Sequence, residues 1–224
     1  MSHPRLAVAA TAAALATGAA LASVPATAAP APDSRPEQAA GYLPDGRDAA
    51  QNARLQSVLD QALRLAKQRE ATGKSSAQAA VTVYYDDSGA PSFDSLIDQG
   101  AAIWNARVSN VQLVEGNAGN ASLSYEEGSD PSGSYYYGNG HGSGLIFLDY
   151  DQANTYAPLR IVTHETGHAL GLPDRYTQPC SKLMSGGGPG PSCTNPYPDS
   201  VEASEVDALW ASGFASPAPL AKVG

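Results

Sequence analysis

The segment His-Glu-Thr-Gly-His at 164–168 constrains this chain more than any other part of it. Two histidines four residues apart on an α-helix point the same way, so both imidazoles can reach one metal ion. Glu165 projects from the adjoining face, near enough to act on a metal-bound water. A pair of core histidines without a metal is the alternative, but such a pair is costly to bury beside a glutamate. The pattern predicts a zinc site on a helix at 157–170.

The residues after this motif indicate a third ligand. Gly171 allows the chain to leave the helix in a left-handed conformation, and Pro173 cannot continue the helix. Asp174 follows directly, and its carboxylate could complete the three protein ligands that are usual at catalytic zinc. A glutamate from a later helix, Glu202 or Glu205, is the competing third ligand. Asp174 would then be a surface residue that ends a turn.

The N-terminal residues are typical of a secretory signal. A basic residue, Arg5, precedes an alanine-rich apolar run at 6–22, and Ala-Thr-Ala at 26–28 has the small-x-small pattern of a cleavage site. A membrane anchor is the alternative, but the run is short and weakly hydrophobic for a spanning helix of about 20 apolar residues. We therefore expect residues 1–28 to be a signal peptide and the protein to be secreted.

The chain has two cysteines, Cys180 and Cys193. In an exported protein a disulfide is the default for such a pair. Thiolate ligation of zinc is the alternative, but zinc thiolate sites usually have closer spacing. We expect a disulfide that contributes roughly 3 kcal/mol through chain entropy.

The formal charge divides the remaining chain into two parts. Residues 29–81 carry seven basic and six acidic side chains, a net charge of +1, whereas residues 82–224 carry five and sixteen, a net charge of −11. The acidic part is a poor partner for nucleic acid or an anionic membrane.

In the first part, residues 49–71 form a predicted amphipathic helix whose apolar stripe must dock on another element. A polar linker at 73–78 follows, of the kind that proteases cut.

We interpret residues 29–80 as a propeptide with one amphipathic helix. A permanent N-terminal helix of the mature protein is the alternative. This segment has no cysteine, so latency cannot depend on a thiol that binds the metal. Either the helix covers the cleft, or an acidic residue of the segment reaches the metal; the candidates are Asp33, Glu37, Asp45 and Asp48.

Residues 81–215 contain the elements of one small domain, and we expect residues 216–224 to be a flexible tail. The order of elements is strand, helix, several strands, motif helix, irregular loop and a last helix, which favours an α+β domain with a segregated sheet. Strands are predicted at 81–85, 111–115, 121–126 and 144–149, and a helix at 92–108 capped by Ser92. The strand at 144–149 is the most apolar, so we expect it to be central. Asp199 or Ser200 should cap the last helix, with Phe214 among its core residues.

The longer segment His-Glu-Thr-Gly-His-Ala-Leu-Gly-Leu-Pro-Asp at 164–174 resembles the extended motif H-E-x-x-H-x-x-G-x-x-D of the snapalysin family. These are small extracellular neutral metalloendopeptidases related to the metzincins. Leu-Met-Ser around Met184 resembles the family's Met-turn, and the two cysteines bracket it as the family's disulfide does. The resemblance runs from about residue 81 to residue 214. It implies a zincin-like α+β fold, in which a small, mostly antiparallel or mixed sheet packs on the zinc-motif helix and two other helices.

The resemblance also assigns roles to individual residues. It implies that three ligands hold one zinc ion: His164, His168 and Asp174. It implies that Glu165 is the catalyst and that Met184 forms a hydrophobic floor beneath the metal. Tyr176 matches a tyrosine of the family pattern, which would either donate a hydrogen bond to the oxyanion or only brace the site. Calcium is a feature of the family, but residues 157–159 offer no side-chain carboxylate, so calcium binding stays open.

The expected function is therefore that of a secreted zinc endopeptidase. Glu165 would take a proton from the zinc-bound water as it attacks a peptide carbonyl, and would then deliver the proton to the leaving amine. The resemblance implies a preference for an aromatic residue just after the scissile bond. The alternatives are a zinc peptidase of narrow specificity, such as one acting on cell-wall peptides, and a secreted module that binds zinc without turnover. The expected partners are protein or peptide substrates and the chain's own propeptide. Neither nucleic acid nor a membrane is expected as a partner, and the protein is expected to be a monomer.

Overall fold

The computed structural model describes residues 48–73 and 79–211, and all of them belong to one compact unit. The predicted signal peptide, the tail at 216–224 and Phe214 lie outside the described residues, as do residues 29–47 of the predicted propeptide and 74–78 of its linker. The described helices are α1 (Asp48–Ala71), α2 (Asp94–Asn105), α3 (Tyr150–Thr155), α4 (Pro158–Ala169) and α5 (Ser200–Leu209). The described strands are β1 (Val81–Gly89), β2 (Val111–Glu115), β3 (Leu123–Gly128), β4 (Tyr135–Gly138) and β5 (Gly144–Asp149).

The five strands form one sheet in the order β2-β1-β3-β5-β4. Three of the pairings are parallel, and the edge strand β4 forms the one antiparallel pairing, with β5. The predicted α+β class and the mixed sheet are confirmed, but the mostly antiparallel form is wrong. The reason is visible between β1 and β2, where helix α2 returns the chain to the starting end of the sheet and so makes the pair parallel.

Two elements were not predicted from the sequence. The edge strand β4 has only four residues and runs into a glycine-rich turn, and α3 is a helix of six residues capped by Asp149. The predicted position of β5 is confirmed in part. It lies inside the sheet between β3 and β4, but β3 is the middle strand.

Helix α2 packs directly against the motif helix α4. The indole nitrogen of Trp104 donates to the carbonyl of Thr163 at 2.9 Å, and Trp104 is completely buried. The predicted cap of this helix is wrong, because Phe93 occupies the N-cap position without a side-chain hydrogen bond. Ser92 instead donates from its backbone N–H and its hydroxyl to the carboxylate of Glu127.

Helices α1 and α5 complete the described fold and contact each other. Asp199 caps α5 as predicted, in a reciprocal capping box with Glu202. The apolar stripe of α1 docks on the domain, as the amphipathic pattern required, and three of its residues are buried: Leu55, Leu59 and Ala62. Within the described ranges, none of the helices has the length and apolar character needed to cross a membrane.

Candidate active site

Helix α4 and the turn after it bring three polar side chains to one point. The Nε2 atoms of His164 and His168 are 3.2 Å apart. Oδ1 of Asp174 lies 3.2 Å from the first of these nitrogens and 3.3 Å from the second. All three side chains are more than nine-tenths buried. The structure thus places the three sequence-predicted ligands together, in an almost equilateral triangle of donor atoms.

The spacing and protonation of this triangle fit a zinc ion. Zinc–ligand bonds of about 2.0–2.1 Å in a tetrahedral site separate neighbouring ligand atoms by about 3.3–3.4 Å. Nδ1 of His164 lies 3.1 Å from the Leu183 carbonyl, and Nδ1 of His168 lies 2.7 Å from the Leu172 carbonyl. Because a carbonyl can only accept, each Nδ1 carries the proton in these hydrogen bonds. When each ring carries only this proton, the two unprotonated Nε2 atoms face each other and Asp174, and a bound cation would stabilise this arrangement.

The turn at Gly171 delivers the third side chain, as its sequence predicts. Gly171 has a φ of +105°, which side-chain-bearing residues rarely adopt. A Cβ atom at this position would also lie 2.8 Å from the carbonyl oxygen of Gly140. The same turn supplies the Leu172 carbonyl that contacts Nδ1 of His168, so it both delivers Asp174 and orients the His168 ring.

Met184 lies beneath the motif helix. It is completely buried in a short 3-10 turn, Leu183–Ser185. A Cβ atom at Gly167 would lie 2.6 Å from the Met184 sulfur, so the glycine in the motif is needed for this close packing. The carbonyl of Met184 accepts a hydrogen bond from the backbone N–H of Arg175 at 2.7 Å, which links this turn to the chain just after Asp174.

The competing glutamate ligands are engaged elsewhere. Glu202 is completely buried, and its carboxylate accepts from the backbone N–H groups of Leu183 and Met184 at 3.0 and 2.9 Å. Glu205 forms an ion pair with Arg175 at 2.7 Å. The structure therefore brings Asp174, and neither glutamate, to the two histidines.

The disulfide between Cys180 and Cys193 forms as predicted. It closes the irregular segment that carries Met184. The crosslink therefore restrains the chain on both sides of the turn beneath the motif helix.

Glu165 lies in the same cavity as two of the three proposed ligands. Its side chain is buried, and it lines a small cavity together with His168 and Asp174. Tyr176 is partly buried in the turn two residues beyond Asp174. Its backbone carbonyl packs against Gly188 so closely that a side chain there would have no room.

Helix α1 forms the outer wall of this cavity. The side-chain nitrogen of Gln51 donates to the carbonyl of Tyr136 in strand β4 at 2.7 Å. The side-chain oxygen of Asn52 accepts from the backbone N–H of Asp174 at 2.5 Å. Leu55, next along this face, is buried against Gly140. Sequence reasoning missed the two polar contacts, because their partners lie more than eighty residues away along the chain.

The charges of the three clustered side chains are strongly coupled. Burial lowers the pKa of His164 below its ordinary value. Burial acts in the same direction on His168, but the Asp174 carboxylate outweighs it and raises the pKa of that imidazole to about 9. Burial acts to raise the pKa of Asp174, yet the two imidazoles hold it well below its usual range. Asp174 therefore stays anionic at neutral pH, and a bound metal would take the place of the proton on His168.

Outside this site, the carboxylates of Asp87, Asp94 and Asp98 lie within 4.8 Å of one another. Two of the three residues are exposed, and Asp98 accepts a hydrogen bond from the hydroxyl of Tyr85. A cluster of exposed acidic groups does not by itself indicate an ion, and calcium binding stays open.

Comparison with known proteins agrees with this geometry. Residues 80–213 match the Streptomyces extracellular neutral proteinase (M7) family. The extracellular small neutral protease of Streptomyces lividans is 52% identical over 209 residues, which cover 91% of this chain and 87% of the relative. The protein of the same name from Streptomyces caespitosus is 62% identical over 133 residues, which cover 59% of this chain and 99% of the relative.

Among solved structures, high choriolytic enzyme 1, a hatching enzyme zinc-protease from Oryzias latipes, matches with a TM-score of 0.32 and 19% identity. The match covers 50% of this chain and 53% of that protein.

The relatives and the family match confirm the resemblance to small extracellular neutral proteases, and with it the predicted protease class and the extracellular location. The match spans the motif helix, the turn to Asp174 and the segment that carries Met184. The chain belongs to the Streptomyces extracellular neutral proteinase (M7) family.

Proposed function

We propose that residues 81–215 hydrolyse peptide bonds in proteins at a single zinc ion, with Glu165 as the general base. The observation that carries this proposal is the triangle of donor atoms from His164, His168 and Asp174, with the buried Glu165 carboxylate in the same cavity. Zinc bound there supplies Lewis acidity towards the substrate carbonyl and a coordinated water. Three protein ligands leave one position of a tetrahedral site open, as catalysis requires.

The role of Glu165 follows from its position in the motif. It precedes His168 by three residues on α4 and shares the cavity with that side chain. The carboxylate accepts a proton from the attacking water and delivers it to the leaving amine nitrogen. Its burial keeps bulk water away from this proton transfer, which strengthens the electrostatic interactions inside the cavity.

Tyr176 also acts at this site in our proposal. The resemblance supports this role, and so does its position two residues beyond Asp174. Tyr176→Phe separates the two possible roles, since the variant keeps the ring and loses the hydroxyl. A hydrogen bond to the oxyanion predicts a lower kcat with little change in KM, whereas bracing by the ring predicts unchanged kinetics.

The same domain is proposed to prefer an aromatic residue just after the scissile bond. This preference is supported by the resemblance to the family. Cleavage of a peptide library by processed protein, with mass spectrometry of the products, tests it. Products whose new N-termini are not enriched in Phe, Tyr or Trp would contradict it.

Residues 29–80 are proposed to be a propeptide that keeps the enzyme latent. Helix α1 covers the cavity and contacts both the edge strand and the turn at Asp174, which supports this role. The near-complete coverage of the Streptomyces caespitosus relative by only 133 residues supports a mature domain without this segment. Of the two routes to latency left open by the sequence, these contacts favour a helix that covers the cleft.

Digestion of casein by the processed monomer, with and without a chelator, tests the proposed function when combined with metal analysis. Cleavage that the chelator abolishes and that one equivalent of zinc restores supports the endopeptidase. Zinc binding without casein cleavage would instead favour a narrow-specificity peptidase or a silent binding module. Hydrolysis of a cell-wall peptide would then separate these two alternatives.

A further inference from the structure

Arg160 is a buried cation that the proposed mechanism does not use. It lies on α4, one turn before His164, and is only 1% exposed. Among the described residues it has no carboxylate partner, and its guanidinium donates to oxygen atoms of a neighbouring loop. The acceptors and distances are the carbonyls of Asn195 (2.5 Å), Lys182 (3.1 Å), Leu183 (3.2 Å) and Gly186 (3.2 Å) and the hydroxyl of Ser185 (2.9 Å). Burial of an arginine is costly unless such donors are paired, so this arrangement demands a specific loop conformation.

The segment 182–186 is therefore held between two opposite charges. Arg160 binds its carbonyl groups from one side. The buried Glu202 carboxylate accepts from the N–H groups of Leu183 and Met184 on the other side. The guanidinium contacts carbonyl oxygens, the negative ends of the peptide dipoles, and the carboxylate contacts N–H groups, the positive ends. Such charge-assisted hydrogen bonds are stronger than neutral ones.

One of these carbonyl groups also touches the metal site. The Leu183 oxygen accepts from Arg160 and lies 3.1 Å from Nδ1 of His164. This hydrogen bond keeps the proton on Nδ1 and aims the bare Nε2 at Asp174, 3.2 Å away. A displaced Leu183 carbonyl would free the His164 ring to rotate or to change its tautomer.

We propose that Arg160 is a positioning residue for the zinc site, acting on His164 through the carbonyl of Leu183. This inference rests on the proposed ligand set. Arg160 touches neither the substrate nor the metal, and its contribution is to fix one ligand in the geometry that binding requires. A purely structural arginine would stabilise the fold without changing the affinity of the folded protein for zinc.

The test uses the full chain and measures zinc affinity by competition with a chromophoric chelator, together with the visible absorption spectrum of the cobalt-substituted protein. Two variants are compared with the parent: Arg160→Met, which keeps most of the volume without the donors, and Arg160→Lys, which keeps the charge with fewer donors. We expect zinc to bind roughly 10–100-fold more weakly, as is usual when an outer-shell partner is lost. We also expect the cobalt bands to shift, with the lysine variant closer to the parent.

Arg107→Met is the matched control. Arg107 also donates to a loop carbonyl, that of Pro198 at 3.1 Å, but the segment 182–186 is not its partner. It should bind zinc like the parent. If Arg160→Met does not fold, Arg160→Lys and Ser185→Ala decide, because Ser185 is an acceptor of the same guanidinium. Folded variants with parental zinc affinity and parental cobalt spectra would overturn the proposal.

His164→Ala separates this inference from the ligand set on which it rests. If His164→Ala weakens zinc binding while the Arg160 variants do not, only the positioning role fails. If His164→Ala binds zinc like the parent, the ligand set itself fails.

Discussion

Asn52 accepts a hydrogen bond from the backbone N–H of Asp174, a residue 122 positions further along the chain. This contact ties helix α1 to the turn that carries a proposed zinc ligand. Gln51, the preceding residue, binds the carbonyl of Tyr136 on the edge strand of the sheet. A peptide that lay along that edge would have to displace both side chains, so in the proposed latent form helix α1 would exclude a substrate from this cavity.

Loosening helix α1 should activate the unprocessed chain. Leu55 is buried against Gly140, and truncation of a buried leucine costs about 2–5 kcal/mol. Leu55→Ala should therefore weaken the docking of α1 on the domain. A loss of about 1.4 kcal/mol in docking free energy corresponds to tenfold, so the variant should hydrolyse a fluorogenic peptide roughly tenfold faster or more. The initial rate is measured before any processing, and mass spectrometry confirms that the chain is intact.

Gln56→Ala is the control for that experiment, because Gln56 is an exposed neighbour on the same helix. It should leave the rate of the unprocessed chain unchanged. Equal rates for the parent and Leu55→Ala would show that α1 does not restrict access to the cleft.

Glu165→Gln should separate metal binding from hydrolysis. The amide has nearly the same shape as the carboxylate but cannot accept the proton of the attacking water, so kcat/KM should fall by roughly 10²–10⁴-fold. The zinc content, measured by atomic absorption, should match that of the parent because the proposed ligands are untouched. Substantial activity in a zinc-loaded Glu165→Gln protein would refute the general-base role.

The site could be predicted from the sequence because it is local. Its proposed ligands and base fall within one helix and one turn, 164–174, where helical periodicity and the positive φ of Gly171 determine which side chains meet. Asp199 could be predicted as a helix cap for the same reason, since the capping box depends on neighbours only three residues apart.

The features that sequence reasoning missed depend on distant partners. Parallel pairing of β3 with β5 is determined by the path of the chain and not by the alternation within either strand. The hydrogen bond of Asn52 has no local pattern that could reveal it. Arg160 gave a weak signal, as a charged residue beside Ile161 and Val162 one turn before the first histidine, but its five acceptors lie in a loop that no periodicity describes.

Removal of the third proposed ligand should weaken zinc binding more than removal of a residue that only positions a ligand. Asp174→Ala leaves two imidazoles and takes away the anionic side chain of the triangle. The dissociation constant for zinc should rise by more than the roughly 10–100-fold typical of an outer-shell partner. Chelator competition measures it, with Asp130→Ala as a control on a loop away from the motif. Parental affinity in Asp174→Ala would remove Asp174 from the ligand set.

His141 should make the fold sensitive to mild acid. Its ring stacks on Trp210 with centroids 3.9 Å apart, and burial lowers its pKa below 6.5. The unfolded chain therefore takes up this proton first, so the free energy of unfolding should fall as pH drops below about 6.5. His141→Phe keeps the stacked ring without a titrating group and should lose less stability between pH 7 and pH 5 in urea unfolding. Both proteins share every other ionisable group, so equal losses would show that His141 makes no contribution.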